Sequence, residues 1–502
     1  MNGIQKALRG CLPLLLAALL AVQAAALPAG PAAEECYNYT STGEPVSAVA
    51  AYTPTVYIYT EELSGGGRFA PSDLCVGGDE LYLLDGDNGR IYVLDADCRV
   101  ARVLDGVRGS RVTDTLAHPK GLCFRDGLLY IADTDNRRIL AVDPQTGGVK
   151  KEIADPGIQV LGEEVEFFPI RLSVDRSGRL FVVSRNVNRG LVMLSADGTF
   201  GGFIGAPKVK VDLSVWLARL FATEEQLRRM QAFVPTEYNS VDMDSEGFVY
   251  ATIGSVSTAS IKAAISARDN SGENAPIRRL NAKGEDILTR NGFFPPVGDL
   301  QFTTAEGCST IADVAVRGGG VYTLLDSRRG RLFTYDRGGA LLYILGGTGD
   351  RIGCFTSPCA VAWWNGRLAA ADGAGALTLF DVTDHGRVVD AAVAADEAGD
   401  YAASDKYWDM ALDTDANLYT AYTGRGKAEY RKGNYKAAME LYRAVGETTY
   451  YSQAKEAFRQ QWLRDHALPV GIVGVLAVGA LIYVWFFRRK KPAKPKKGGS
   501  EK

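Results

Sequence analysis

The sequence predicts an all-β six-bladed β-propeller, followed by an α-helical repeat domain and one transmembrane helix. Three observations carry this expectation. A long phrase is written twice, 48 residues apart, with fainter copies after it; a helical phrase recurs at an offset of 34; and a run of 21 uncharged residues lies near the C-terminus.

The first phrase reads "LCVGGDELYLLDGDNGRIYVLD" from Leu74 and "LCFRDGLLYIADTDNRRILAVD" from Leu122. At that offset Pro71 matches Pro119, Tyr82 Tyr130, Asp85 Asp133, Asn88 Asn136, Arg90 Arg138 and Asp95 Asp143. Each copy alternates apolar and polar residues in short runs split by Gly, Asn and Asp, the pattern of strands joined by tight turns. "GGVKKEI" supplies a fourth strand, and fainter copies begin at Arg171, Ser240, Asp313 and Ala360, making six units. Such a sheet of about 40–50 residues cannot bury both faces alone, and its radial repetition is a propeller. The sixth unit lacks a fourth strand, whereas the alternating "TVYIYT" from Thr55 has no other role. It is expected to close the ring on the last blade, which removes an open sheet edge.

The phrases "PSDLCVGGDELYLLDGDNGRI" and "HPKGLCFRDGLLYIADTDNRRI" resemble the NHL repeat, and the resemblance spans about residues 50–386. It implies a propeller whose tunnel or faces bind a ligand or protein. Propellers similar to gluconolactonase or paraoxonase add an alternative, metal-dependent hydrolysis with a divalent ion such as calcium in the tunnel. The residue just before each inner strand should face the tunnel: Asp73, Gly121, Arg171, Ser240, Asp313 and Ala360. Asp73, Arg171, Ser240 and Asp313 are the ligand-binding candidates. An arginine in the ring opposes a cation, so no cofactor and no metal residue is assigned.

After residue 387 the period becomes helical. "GDYAASDKYWDMAL" from Gly399 recurs as "GNYKAAMELYRAV" from Gly433, similar to the tetratricopeptide repeat. The resemblance implies a protein-binding helical array over 387–465, with Trp408, Tyr430, Tyr435 and Tyr442 as partner-binding candidates. Flanking helices at Val388–Glu397 and Tyr451–Arg464 are expected to cap the pair.

Residues 1–26 read as a secretory signal, with Lys6 and Arg9 before a short apolar run and small residues after it. A linker follows over 27–49. Ala467–Phe487 is long enough to cross about 30 Å of hydrocarbon as a helix. The basic tail 488–502 after it places the C-terminus in the cytoplasm and the bulk outside. "DLSVWLARLFATEEQLRRMQAF" predicts a helical insertion over 211–234, and Ser255–Pro276 reads as a mobile loop.

The net charge of −3 gives no sign of nucleic-acid binding, and three histidines leave little for a zinc site. No Gly-x-Ser-x-Gly or phosphate loop occurs, so no catalytic residue is assigned; His118, in "HPKG", reads as a turn residue. "DGDNG" at Asp85 and "DMDSEG" at Asp242 lack the glutamate of a calcium loop at the twelfth position and read as hairpin turns. Cys354 and Cys359 are the pair expected to bridge, Cys75 and Cys123 are expected in the core, and Asn38 fits a glycosylation acceptor. The pair Trp363 and Trp364 raises a further alternative, a sugar-binding accessory to a transporter. The expectation is therefore a surface binding or scaffold protein for protein partners in or at the membrane, with carbohydrate or a small ligand in the propeller.

Overall fold

The computed structural model describes residues 36–40, 43–154, 156–160, 163–185, 187–205, 237–267, 269, 271–290, 296–300 and 307–489. The signal sequence, the 211–234 insertion and nearly all of the basic tail lie outside the described residues.

Six antiparallel sheets form the blades. Blade 1 runs Pro71–Gly77, Glu80–Asp85, Arg90–Leu94 and Val100–Asp105 from the tunnel outward. Blades 2, 3 and 5 repeat that order from inner strands Gly121–Arg125, Pro169–Val174 and Ile311–Val316. Blade 4, with inner strand Tyr238–Met243, has three described strands rather than the expected four. Blade 6 comprises Pro358–Trp364, Arg367–Asp372 and Ala376–Val382 and takes its outermost strand, Tyr52–Tyr59, from the N-terminal side, with Tyr59 opposite Ala376 and Tyr52 opposite Val382. The ring is thus closed as "TVYIYT" suggested, and the inner strand of blade 6 packs on that of blade 1. Alternating side chains fill the gaps between successive blades; Leu81, Leu83, Ala369 and Leu377, for example, are wholly buried between blades 6 and 1.

The twice-written phrase is explained by its hairpin. In blade 1 Asn88 donates from Nδ2 to Asp85 at 2.8 Å, and in blade 2 Asn136 does the same to Asp133 at 2.8 Å. The turn then needs a left-handed residue, Gly89 (φ 65°) in one copy and Arg137 (φ 56°) in the other. The aspartate also holds the chain entering the inner strand: Asp133 accepts from the Ala117 amide at 2.8 Å, and Asp372 from those of Thr356 and Ser357. Asp and Asn therefore recur in these two blades because their hairpins make the same local hydrogen bonds, since buried backbone amides must find partners.

Helices are α1 (Thr60–Ser64), α2 (Thr258–Ser266), α3 (Asp384–Glu397), α4 (Tyr401–Thr414), α5 (Tyr419–Arg431), α6 (Tyr435–Ala444), α7 (Thr448–Asp465) and α8 (Ala467–Arg489). Helix α2 occupies Thr258–Ser266 within the stretch Ser255–Pro276 expected as a loop. Ser257 caps it by accepting from the Ser260 amide, and Ile261 anchors it against Val297 and Cys308.

The chain divides into two compact units at Ala421. In the first, α3 and α4 meet at Gly399 (φ 78°) and bury Val389, Ala392, Val393, Trp408 and Ala411 in one core with blades 5 and 6. The helical pair following the propeller is thus part of the propeller unit. Arg317 at the end of the blade 5 inner strand fastens it, pairing with Asp390 of α3 at 2.5 Å, and Tyr52 donates to the same carboxylate at 2.6 Å. In the second unit the ring of Tyr442 leaves no room for a Cβ at Gly426, which would lie 2.4 Å away. Tyr442 and Ala454 are buried there with Ala438, and α8 is long and apolar enough to cross a membrane.

Two cysteine and glycan expectations are corrected. Cys359 is a free thiol directed at the carbonyls of Pro71 and Ala371, so it forms no bridge with Cys354. Asn38 is buried at 4% exposure in a small hairpin, where a glycan could not be accommodated.

Candidate functional site: the propeller tunnel

The inner strands carry two rings of side chains toward the tunnel. The first holds the sequence candidates. Arg171 lies across it, its guanidinium 2.6 Å from the Asp73 carboxylate and donating to the main-chain carbonyls of Lys120, Ser72 and Cys359. One side chain from blade 3 thereby ties blades 1, 2 and 6 together. Gly121 makes room for it: a Cβ there would stand 2.6 Å from the Ile170 carbonyl oxygen, so only glycine lets the blade 3 strand approach. Ser240 donates to Asp313, whose other oxygen accepts from the Val361 amide at 2.8 Å. Asp73 likewise accepts from the Leu122 amide at 2.7 Å. Ala360 is wholly buried beside them.

The second ring borders a cavity of about 200 Å³ lined by Cys75, Cys123, Phe124, Asp242, Val316 and Trp363 together with the first-ring side chains. Asp242 corrects the reading of "DMDSEG" as a turn throughout. The turn acid is Asp244, which accepts from the amides of Glu246 and Phe248, while Asp242 is still on the inner strand. Cys75 and Cys123 face this cavity besides packing in the core. Side chains alternate along a strand, so the residue two places after each first-ring candidate faces the tunnel as well. That period would have found Cys75, Cys123 and Asp242 in the sequence.

Burial dominates the electrostatics. It pushes the Asp73 carboxyl up to about 7 despite the opposing pull of Arg171, and raises Asp313 for the same reason. Asp242 is also pushed up to about 7 by burial, only partly offset by the amides of Val316 and Met243 that it accepts. The hydrogen bonds to Asp242 come from main chain, at 2.7 Å each, whereas Asp73 has Arg171 and Asp313 has Ser240. Burial raises the Cys123 thiol to about 12, so it remains protonated. The site can therefore offer hydrogen bonds of both senses and a carboxyl that titrates near neutrality.

Neither a family model nor a curated protein matches this sequence. Among solved structures it is similar to virginiamycin B lyase from Staphylococcus aureus (8% identity, 65% of this chain and 99% of that one, TM-score 0.39). A streptogramin B lyase is similar at 10% identity over 67% of this chain and 100% of that one, TM-score 0.40. Kuenenia stuttgartiensis hydrazine synthase is similar at 10% identity over 63% and 96%, TM-score 0.39. The six-bladed architecture itself follows from the sheets described above.

A divalent ion does not fit the first ring, because the fixed charge of Arg171 lies among its carboxylates. Among the described residues no three His, Cys, Asp or Glu side chains converge as a metal site. His118 stands in a left-handed turn (φ 44°) with its ring 2.8 Å from Asp135 at the surface. Trp364 is core, its indole N–H donating to the Asp79 carbonyl. Trp363 lines the cavity with the Arg317 guanidinium over its ring at 4.4 Å.

The structure separates the helical candidates. Trp408 and Tyr442 are buried at helix crossings, so their rings serve packing. Tyr430 and Tyr435 form an edge-to-face pair, centroids 5.1 Å apart, with Tyr430 at the surface.

Proposed function

We propose that the chain is a membrane-anchored extracytoplasmic binding and scaffold protein. Its NHL-like propeller holds a small polar ligand in the tunnel, and its tetratricopeptide-like helices present Tyr430 and Tyr435 to a protein partner. Helix α8 spans the bilayer, the signal sequence exports the rest, and the tail 488–502 stays in the cytoplasm. The observation that carries the reading is the cavity of about 200 Å³ beneath Arg171, with Asp242 in its wall. A ligand there replaces the water that an ionised carboxylate would need, and a few placed polar groups of this kind fix orientation and specificity in a pocket.

The test is isothermal calorimetry on the full-length protein in detergent against small amines, monosaccharides and calcium, repeated with Asp242→Asn. Saturable one-site binding that weakens at least about ten-fold in the variant, a change of about 1.4 kcal/mol, supports the tunnel. Binding that survives the substitution unchanged moves the site elsewhere.

A further inference from the structure

Helix α7 has two different surfaces. Toward its start, Tyr450, Tyr451 and Ala454 pack against Ala438, Met439 and Tyr442. Helix α6 ends at Ala444, and the last two turns of α7 carry large apolar side chains in the open: Phe458 at 37%, Trp462 at 44% and Leu463 at 46% exposure. Phe458 and Trp462 are four residues apart and share a helix face. Trp462 stacks on His466, centroids 4.6 Å apart, one residue before α8 begins at Ala467. Arg459 and Arg464 flank the face, and the apolar run of α8 follows at once.

We propose that this end of α7 is a lipid-contacting surface, with Trp462 and Leu463 seated in the outer headgroup layer of the bilayer that α8 crosses. The occupant is identified by continuity. Trp462 and Leu463 stand five and four positions before the first residue of the span, within about 8 Å of it at helical rise, which is headgroup depth. Indole combines an apolar body with an N–H donor and is favoured in that layer, while arginine stems reach phosphate from it. At the other end of α8, Trp485 lies about 27 Å further along the helix, at the opposite interface. The two aromatic ends would fix the depth of the span and hold the second unit against the membrane. This inference rests on the reading of α8 as a span.

The experiment uses full-length protein in phosphatidylcholine nanodiscs, with and without lipids brominated near the headgroup, and the variants Trp462→Phe and Trp485→Phe. Subtracting each variant's emission from the parent isolates one tryptophan. Loss of most of the Trp462 component in brominated discs supports the proposal. Quenching of Trp485 without Trp462 overturns it and leaves the span standing. Quenching of neither overturns both, because α8 would then not be in the bilayer.

Discussion

Two arginines, Arg138 and Arg171, show what the repeat does and does not specify. Arg138 belongs to the repeated phrase and is fully buried, and its partners are local. They are Asp133 at 2.7 Å, Glu152 at 2.9 Å, Ser110, and the carbonyls of Thr113 and Thr115, all in blade 2 or the loop that enters it. Arg171 occupies a place where the other blades have Asp, Gly, Ser, Asp and Ala, and its partners come from three other blades. Residues that match between repeats build a blade; those that break the match at the tunnel build what is particular to this protein. Arg90, the twin of Arg138, adds a qualification. It lies at the surface beside Asp105, so the same repeat position is buried only where a loop covers it.

The larger loss falls at Arg138. Arg138→Met should lower unfolding stability by about 3–5 kcal/mol, because Asp133 would remain buried with its charge uncompensated. Urea denaturation of the full-length protein in detergent measures it. A loss below about 1 kcal/mol would mean that water reaches Asp133 once the guanidinium is gone.

Much of this was legible in the sequence because a propeller repeats its local rules. The offset of 48 located Asp85, Asn88 and their twins, and an unemployed alternating strand located the closure at Tyr52–Tyr59. The first tunnel ring followed from the same alignment, since Asp73, Arg171, Ser240 and Asp313 hold equivalent strand positions. Asp242 was hidden because "DMDSEG" contains both a strand residue and a turn acid, and composition alone reads the whole as a turn. Helix α2 was hidden by its flanks of Ser, Gly and Asn, although "TASIKAAIS" behind Ser257 combines a cap with good helix formers. Trp408 and Tyr442 stand at repeat-matched positions that serve helix packing, so matching in that region identified the core before any binding face.

A smaller effect is expected at Arg171, and it sharpens the contrast because its carboxylate can take up a proton. Burial already raises Asp73 toward neutrality, with Arg171 holding it down. In Arg171→Met the acid rises further and stays neutral under mildly acidic conditions. The cost should then be about 1 kcal/mol at pH 5.5, from lost hydrogen bonds to carbonyls, and about 3 kcal/mol at pH 8.5, where Asp73 is charged without a partner. Denaturation midpoints across that range decide it; a cost independent of pH would show that Asp73 does not titrate with Arg171 absent.

The finest distinction concerns Asp242, whose hydrogen bonds come from main chain. Its carboxyl is raised from the ordinary 3.8 to about 7 by burial, so the folded protein holds a proton that the unfolded chain has released. The stabilisation is complete below the unfolded value near 4 and is lost as the pH rises through about 7, because stability falls wherever the native state binds more protons. One such group contributes a slope of at most about 1.4 kcal/mol per pH unit, and Asp73 contributes in the same direction. Asp242→Asn cannot titrate, so stability against pH should become shallower between pH 4.5 and 7 by up to that slope, whatever the substitution costs at a single pH. Parallel curves for the two proteins would place Asp242 in bulk-like water. Its raised affinity for a proton, and with it the case for a ligand meeting a partly desolvated carboxyl, would then be lost while the Arg171 bracket between the blades stood unchanged.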